Sequence, residues 1–369
     1  MTSKVLLLSR KDIHHPKAGG AELVMHEYAK GLVRKWYEVT QFSPRFDKPV
    51  SEEIIDGVKI IRLFSIHTIY FLFGFYYLFN LKWRYDIIID HAWGIPFLSP
   101  LYIRNKPIYF IIHHVGDKER SEYFKQRIGL AFLWNIFWFL YTNFILGLYK
   151  NKITFTVSDG TANELKKLGF KKIIVIKNTT NRDIIEKPHL KNKELTIIGR
   201  IVPNKRIDHA IRVVSELKNH GHNYILNVVG NIQDETEYKN LQKLTKELWC
   251  EKNIRFMGKL EKDDIIEILD CTQYLLLTSK KEGFGITALE ANTRAVPVIA
   301  YDIPWVNEAV HNGQNGILIA DWKYTDIASY IMNKESDYNT LQKTTLAFIN
   351  QYPKWNNNVD AMENILFSK

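Results

Sequence analysis

The stretch KEGFGITALE, residues 281–290, places two carboxylates, Glu282 and Glu290, around a Gly-x-Gly turn. The apolar run Tyr274–Leu277 precedes it, and a helix-like pattern follows. We therefore predict a strand, a glycine turn with free backbone N–H groups, and a helix with Glu290 about one turn inside it. Such a turn suits an anionic group, and a carboxylate suits a vicinal diol such as that of ribose.

The same residues allow a second interpretation. Residues 283–288 fit the dinucleotide pattern G-x-G-x-x-A, and Asp302 follows at about the spacing of a ribose-binding acid. That pattern requires a tight turn directly after the strand, whereas residues 278–282 intervene here. Glu282 would also repel a pyrophosphate. A dehydrogenase that binds NAD is therefore an alternative that we do not favour.

The composition indicates a two-domain globular protein. The 369 residues suffice for two cores. The formal charge is +10, which suits nucleic acid, an anionic membrane surface or a phosphorylated substrate but does not choose among them. The two cysteines, Cys250 and Cys271, have no metal-binding or redox spacing, so we expect a reducing compartment and no structural zinc.

Two segments are strongly apolar, residues 64–79 and residues 128–149. The second is long enough to cross a bilayer, but predicted strands of one domain flank it on both sides. We favour a helix that lies on a membrane surface, since Arg127 and Lys150 bracket the segment and Trp134, Trp138 and Tyr141 suit an interface. A buried helix and a true membrane span are the alternatives.

Strand-like and helix-like segments alternate along the whole chain. The predicted strands form two series: 5–9, 39–42, 58–63, 86–90, 108–112, 153–157 and 173–176, then 195–198, 224–229, 253–257, 274–277, 296–300 and 317–319. This pattern predicts an α/β fold of two doubly wound, Rossmann-like domains with parallel sheets. We place the domains at residues 1–177 and 178–349, with a C-terminal helix at 350–369 that docks back on the first. Ligands would bind at the carboxyl ends of the strands, in a cleft that the two domains face.

Three further motifs come directly after predicted strands. Gly20 lies in KAGGAE, which opens the first helix, and paired glycines let a ligand approach the backbone. Arg200 and Lys205 lie in GRIVPNKR, where a guanidinium fork and an ammonium could neutralise a diphosphate. His113 follows the strand at 108–112 and can donate a hydrogen bond or move a proton; His114 and His91 are weaker candidates.

Several common site patterns are missing from the sequence. It contains no Asp-x-Asp, no P-loop pattern and no G-x-S-x-G. Its basic residues form no signature of RNA binding. We therefore expect neither a bound metal nor a nucleic-acid partner.

Together these motifs resemble those of the retaining glycosyltransferases of family 4, which have the two-domain GT-B fold. The resemblance spans nearly the whole chain. It is carried by the segments 19–22, 157–158, 199–206, 282–291, 297–298 and 313–316. The family usually has a glycine at the positions of Ala295 and Trp305, so this chain departs from it there.

The resemblance implies a role for each site residue. Arg200 and Lys205 would bind the diphosphate of the donor and stabilise it as it leaves. Glu290 would hold the ribose, and Glu282 the donor sugar. Other donor contacts would come from Gly283, the backbone amides of Phe284 and Gly285, Gly20 beside the phosphates, and His113 near the reacting carbon.

The implied reaction is the transfer of a hexose from a nucleoside-diphosphate sugar to a glycan or lipid-linked acceptor, with retention and without a metal or other cofactor. The resemblance further implies a front-face route, in which the acceptor attacks on the side from which the phosphate leaves and the leaving phosphate helps to deprotonate the acceptor. We expect a role in the synthesis of a surface glycan or glycolipid, in the cytoplasm on the inner face of the membrane. The alternatives within this fold are a non-catalytic partner subunit and another GT-B enzyme, such as a sugar epimerase or a sugar-phosphate synthase.

Overall fold

The computed structural model describes residues 2–46, 50–92, 94–115, 131–320 and 323–368, without the side chains of 131–135 and 335. The chain divides into two compact units. The first contains Met1–Asn178 and Lys354–Lys369, and the second contains Thr179–Pro353. The division after Asn178 lies one residue beyond the boundary that the sequence suggested.

The first unit is built on an eight-stranded sheet. Its strands are β1 (Lys4–Ser9), β2 (Glu38–Arg45), β3 (Glu52–Ile55), β4 (Val58–Ser65), β5 (Ile87–Ala92), β6 (Ile108–Ile112), β7 (Ile153–Thr156) and β8 (Lys172–Val175). Their order is β3-β4-β2-β1-β5-β6-β7-β8. The central strands are apolar runs because helices cover both faces of a parallel sheet.

Strand β3 was missed by the sequence analysis, and it pairs antiparallel with β4. The two strands form a hairpin through Asp56 and Gly57, which have φ angles of +50° and +82°. An Asp-Gly pair is typical of two-residue hairpin turns. The residues Glu52–Ile55 are too polar to stand out as a buried strand, so this turn was the usable signal.

In its described residues the first unit has the helices α1 (Gly20–Arg34), α2 (Ile69–Tyr76), α3 (Ala131–Leu140), α4 (Asp159–Lys167) and the returning α11 (Trp355–Leu366). Helix α2 continues into a π-helical turn, Tyr77–Leu81. Helix α3 continues into a π-helical turn, Tyr141–Ile145, and a 3-10 turn, Leu146–Tyr149.

Helix α11 packs on α1 within the first unit. A Cβ added to Gly31 of α1 would lie 2.3 Å from a methyl carbon of Val359, so only glycine allows this approach. Lys35 at the end of α1 pairs with Asp360 and Glu363. The contact shows why the chain returns to the first unit after residue 353.

The second unit has a six-stranded, all-parallel sheet. Its strands are β9 (Glu194–Ile198), β10 (Ile225–Val229), β11 (Ile254–Gly258), β12 (Tyr274–Leu277), β13 (Val298–Tyr301) and β14 (Gly316–Ile319). Its helices are α5 (Ile207–Asn219), α6 (Glu235–Glu247), α7 (Lys262–Cys271), α8 (Ile286–Asn292), α9 (Tyr324–Asn333) and α10 (Tyr338–Gln351). The strand order is β11-β10-β9-β12-β13-β14.

Each sheet has one point where the strand order reverses. In the first unit the chain moves from β1 to β2 on one side and returns to β5 on the other. In the second unit β9 lies between β10 and β12 in the same way. Ligands of doubly wound sheets bind in the crevice beyond the carboxyl ends of the strands at such a reversal.

The apolar segment predicted at residues 128–149 is helical in its described part. Residues 127–130 lie outside the described residues. Tyr141, Leu146 and Tyr149 are buried against the sheet, whereas Phe139 and Phe144 are exposed. Within the described ranges, the structure has no helix both long and apolar enough to cross a membrane.

Candidate functional site

The loops that follow β9 and β12 meet at the reversal point of the second unit. Lys205 Nζ lies 2.5 Å from Glu282 Oε1. Ser279 Oγ donates to the same carboxylate oxygen at 2.5 Å. The side chains of Lys205 and Glu282 are 15% and 14% exposed. The structure thus brings two of the predicted site residues together as a largely buried ion pair.

Backbone contacts hold this pair in place. Asn204 Nδ2 donates to the carbonyl of Lys281 at 2.9 Å, and the amide of Lys280 donates to the carbonyl of Asn204 at 2.9 Å. Thr278 Oγ1 donates to the carbonyl of Lys205 at 3.0 Å. Since each of these hydrogen bonds ends on a main-chain carbonyl and joins the two loops, the positions of the ammonium and the carboxylate do not depend on their mutual attraction alone.

Arg200 points to the other neighbour of β9. Its Nη1 donates to Gln233 Oε1 at 2.9 Å, on the loop after β10, and the side chain is exposed. The two loops approach closely because Gly230 has no side chain: a Cβ there would lie 1.9 Å from the carbonyl oxygen of Gly199. Arg200 and Lys205 therefore share one loop but contact different partners.

Glu290 lies on α8 and faces Arg182. Arg182 Nε is 3.3 Å from Glu290 Oε1, and the two side chains are 7% and 16% exposed. Thr180 Oγ1 accepts from the amide of Arg182 at 3.2 Å. Burial raises the pKa of Glu290, while the charge of Arg182 opposes that rise. The arginine thus favours the charged carboxylate that a diol-binding role needs.

The turn before α8 is longer than a dinucleotide fingerprint allows. Strand β12 ends at Leu277 and α8 begins at Ile286, so eight residues separate them. Gly285 has a φ of +89°, which favours glycine, and Phe284 is buried. This spacing contradicts the tight strand-to-helix turn that the dehydrogenase interpretation requires.

The two departures from the family pattern have different consequences. Ala295 has a φ of +52°, so its backbone adopts the conformation for which the family's glycine is suited. Trp305 is half-buried, and Lys281 Nζ lies 4.7 Å from its ring centroid. The indole therefore packs against the residue that precedes Glu282.

The remaining predicted residues, Gly20 and His113, belong to the first unit. Gly20 is the first residue of α1, and the amide of Gly19 donates to Glu22 Oε2 at 2.8 Å. His113 follows β6 and is 5% exposed. Its ring contacts that of His91 edge to face, with the centroids 5.0 Å apart.

His91 bridges the reversal point of the first unit. Ser9 Oγ donates to the carbonyl of Lys11 at 2.9 Å. His91 Nδ1 lies 2.9 Å from the same hydroxyl. This hydrogen bond joins the end of β1 to the end of β5. Burial lowers the pKa of His91 to about 3, and burial with the neighbouring histidines lowers the pKa of His113 well below its usual range.

Four contributors were missed by the sequence analysis. These are Ser9, Arg182, Gly230 and Ser279. Gly230 directly follows a strand, as the motif GRIVPNKR does, so its position was a usable signal. The other three offered no usable signal, because single serines and arginines are common in loops and their partners lie far away in the sequence.

Each of the two units matches the model of a known protein family. The model described as "Glycosyltransferase Family 4" matches residues 18–183. The model described as "Glycosyl transferases group 1" matches residues 179–351. The two matches follow one another along the chain.

Individual relatives agree with this assignment. The chain is 23% identical to the glycogen synthase of Mycobacterium tuberculosis (strain CDC 1551 / Oshkosh) over 275 residues, which are 72% of this chain and 64% of that protein. The match thus spans less than two thirds of that relative's length.

Solved structures show the same fold. The sucrose-phosphate synthase of Thermosynechococcus elongatus superposes with a TM-score of 0.77 at 16% identity, covering 98% of each chain. HepE of Anabaena, solved in complex with UDP-glucose, superposes with a TM-score of 0.76 at 16% identity, covering 99% of this chain and 100% of that one. With its two family matches and this fold, the chain belongs to the family 4 glycosyltransferases of GT-B fold.

Proposed function

We propose that this protein transfers a hexose from a nucleoside-diphosphate sugar to a glycan or lipid-linked acceptor. The observation that carries the proposal is the pair Lys205–Glu282, held across the reversal point of the second sheet at 2.5 Å. It places a cation and a carboxylate where doubly wound folds bind nucleotides. The solved relative HepE, in complex with UDP-glucose, supports a nucleotide sugar as donor.

Lys205 is suited to the diphosphate even while paired. An ammonium has three N–H donors, and Glu282 Oε1 occupies one of them. The others can reach a phosphate oxygen, and Arg200 on the same loop adds an exposed guanidinium. Two cations that stabilise a leaving diphosphate would do the work that a metal does in other transferases. We therefore propose a reaction that needs neither a metal nor another cofactor.

Glu290 is suited to the ribose. Its buried carboxylate can accept from both hydroxyls of a diol, and Arg182 favours its charged form. Glu282 and the backbone of Gly283, Phe284 and Gly285 would then hold the sugar that is transferred. The two acids thus contact different parts of one donor.

We propose that configuration is retained through a front-face route. The family resemblance supports it, and the leaving phosphate would itself help to deprotonate the acceptor. Catalysis then rests on positioning and charge stabilisation. His113 and Gly20 would contribute from the first unit, and the neutral imidazole of His113 can donate or accept a hydrogen bond without adding charge. The product would be a surface glycan or glycolipid, made in the cytoplasm at the inner face of the membrane.

Thermal stabilisation by ligands tests the donor site. The protein is melted without added metal in the presence of UDP, GDP, ADP, NAD and the common sugar conjugates, because a ligand at 100 times its Kd stabilises by about 2.7 kcal/mol. We expect one nucleoside diphosphate and its sugar to raise the Tm, and this shift to vanish in Arg200→Ala and Glu290→Ala. Lys243→Ala, an exposed lysine on α6, is the control that keeps the shift.

The other outcomes would overturn the proposal. A shift with NAD alone would support the dehydrogenase alternative. No shift with any nucleotide or sugar conjugate would support a non-catalytic partner subunit. Once a donor is known, release of its nucleoside diphosphate in the presence of a chelator tests the metal-independent reaction.

A further inference from the structure

Helix α2 has two apolar faces, and only one of them is covered by the described part of the chain. Ile69, Phe73 and Tyr77 are at most 1% exposed and lie in the core. Phe71, Phe75 and Phe79 repeat at intervals of four residues and are 75%, 56% and 84% exposed. Residues two apart on a helix point in nearly opposite directions, so this second stripe faces away from the sheet.

The helical segment that begins with α3 has the same organisation. Tyr141 and Leu146 are buried in the core beside β6. Phe139, Leu140 and Phe144 are 60%, 46% and 64% exposed. The rings of Phe139 and Phe144 contact each other edge to face, with the centroids 6.5 Å apart. A second stripe of large apolar side chains is therefore exposed.

Both helices lie on one face of the sheet. Ile108 packs in the core with α2, and Phe110, two residues further along β6, packs in the core with the α3 segment. Residues two apart on a strand share a face. The two exposed stripes thus belong to one layer, and we call Phe71, Phe75, Phe79, Phe139, Leu140 and Phe144 the apolar face.

The ends of both helical segments are basic. The α2 segment ends at Leu81 and is followed by Lys82, Trp83 and Arg84, all exposed. Lys82 Nζ lies 5.0 Å from the ring centroid of Trp83. The α3 segment ends at Tyr149 and is followed by Lys150 and Lys152. Residues 57–85 and 123–158 contain no Asp or Glu, so acidic residues of these segments do not offset the charge.

We propose that the apolar face binds an anionic lipid bilayer, with Lys82 and Arg84 contacting the lipid phosphates. The inference deepens the proposed function, since it names the surface at which a lipid-linked acceptor would be met. A helix that exposes aromatic residues and carries cations at its end inserts into the boundary between headgroups and acyl chains. Each basic residue near an anionic surface adds to the attraction. The segment 128–149 was predicted from the sequence to lie on a membrane surface, and we include α2 in this role because its exposed stripe is as apolar.

Charge complementarity selects a bilayer over a second copy of the chain. The protein has a formal net charge of +10, so two copies that met through this face would bring like charges together. An anionic membrane instead gains from both the aromatic side chains and the cations. An exposed apolar patch of this kind marks an interaction site in general. The basic residues at the ends of the two helical segments indicate that the partner is an anionic bilayer.

Vesicle flotation tests the proposal with the full chain. Vesicles of phosphatidylcholine alone are compared with vesicles that contain about one-third phosphatidylglycerol, near physiological ionic strength. We expect the wild type to float with the anionic vesicles, and the triple variant Phe71→Ser, Phe75→Ser, Phe79→Ser to lose at least tenfold in partitioning. The control Trp249→Ser removes an aromatic side chain, 81% exposed, from the second unit and should float like the wild type.

The charge contribution is tested separately. Lys82→Glu with Arg84→Glu should abolish the preference for anionic vesicles, whereas Lys243→Glu in the second unit should keep it. No flotation of the wild type, or equal flotation of the triple variant and the wild type, would overturn the proposal. Loss of a concentration-dependent dimer in the triple variant, measured by sedimentation without vesicles, would also overturn it in favour of self-association.

Folding and the donor site are monitored in the same variants. All substituted side chains are exposed, so we expect unchanged circular dichroism. The Tm shift with a nucleoside diphosphate reports on the second unit and should persist in every variant. Lipid binding without any nucleotide shift would leave the surface assigned and the proposed function refuted, and the reverse result would do the opposite.

Discussion

Acid should destabilise the first unit through two buried histidines. His91 and His113 are 1% and 5% exposed. Burial lowers the pKa of His91 to about 3 and that of His113 well below its usual range. In an unfolded chain the pKa is about 6.5. Below that pH these histidines bind protons in the unfolded chain but stay neutral in the folded chain. The free energy of unfolding therefore falls as the pH falls.

The size of the effect follows from the difference between the two pKa values. One pKa unit corresponds to about 1.4 kcal/mol. A pH of about 5 is some 1.5 units below the pKa of a histidine in the unfolded chain, so that histidine is protonated. His91 in the folded chain stays neutral at this pH. His91 therefore removes about 2 kcal/mol between roughly pH 7.5 and 5, and His113, whose pKa is also lowered, acts in the same direction. This window lies above the range in which Asp12 and Asp56, whose pKa values are lowered, begin to protonate.

Urea unfolding of His91→Asn measures this difference. Asparagine can keep a hydrogen bond to Ser9 but does not titrate, so the variant should lose about 2 kcal/mol less than the wild type over the same pH range. The two units can unfold in separate urea transitions. The transition of the first unit is identified as the one whose midpoint the substitution changes at neutral pH. His15 and His209, whose pKa values are also lowered, are present in both proteins and cancel.

His220→Asn, at an exposed position on the end of α5, is the matched control and should leave the pH dependence unchanged. Equal acid sensitivity in the wild type, His91→Asn and His113→Asn would refute the reasoning. It would mean that the folded chain protonates these imidazoles at little cost.

Three further outcomes are expected. Arg182→Ala should weaken binding of the nucleoside diphosphate at least tenfold, and the loss should shrink as the pH rises, because Glu290 without its cation has a still higher pKa; a pH-independent loss in calorimetric titrations would contradict this. Gly230→Ala should lower the free energy of unfolding by about 2 kcal/mol or more in urea titrations, since its Cβ would lie 1.9 Å from a carbonyl oxygen, whereas Gly147→Ala has no atom within 4 Å and should cost less. Trp36→Gly should raise the Tm by about 2–4 °C in calorimetry, because this tryptophan is 86% exposed and has a φ of +69° directly after Lys35, the C-cap residue of α1; a lower Tm would show that its side chain has a stabilising contact.

Most of the fold could be predicted from the sequence, because the patterns that define it are local. A strand buried on both faces is an apolar run, and the predicted strand 274–277 coincides with β12, Tyr274–Leu277. Glycines after strands indicated the turns that carry the candidate site. Strand β3 was not predicted because a strand at the edge of a sheet need not be apolar. Its Glu53 forms an ion pair with the buried Arg62.

The contacts of the site could be predicted only in part, because they depend on which strands are neighbours. The residues Lys205 and Glu282 were identified separately, but they are 77 positions apart and pair only because β9 lies beside β12. The pair Ser9 and His91, 82 positions apart, meets because β1 lies beside β5. The strand order is a property of packing and leaves no local mark on either segment.

Both reversal points are bridged by side chains, and the reason is topological. At a reversal the connecting segments leave toward opposite sides, so the chain itself does not cover the crevice between the two strands. Polar groups there must find partners or water, since an unpaired buried charge is costly. In the second unit Lys205 and Glu282 satisfy each other. A donor diphosphate offers the ammonium further acceptors, and a sugar hydroxyl offers the carboxylate a donor. The ion pair is therefore a resting state of the two groups that the proposed reaction would use.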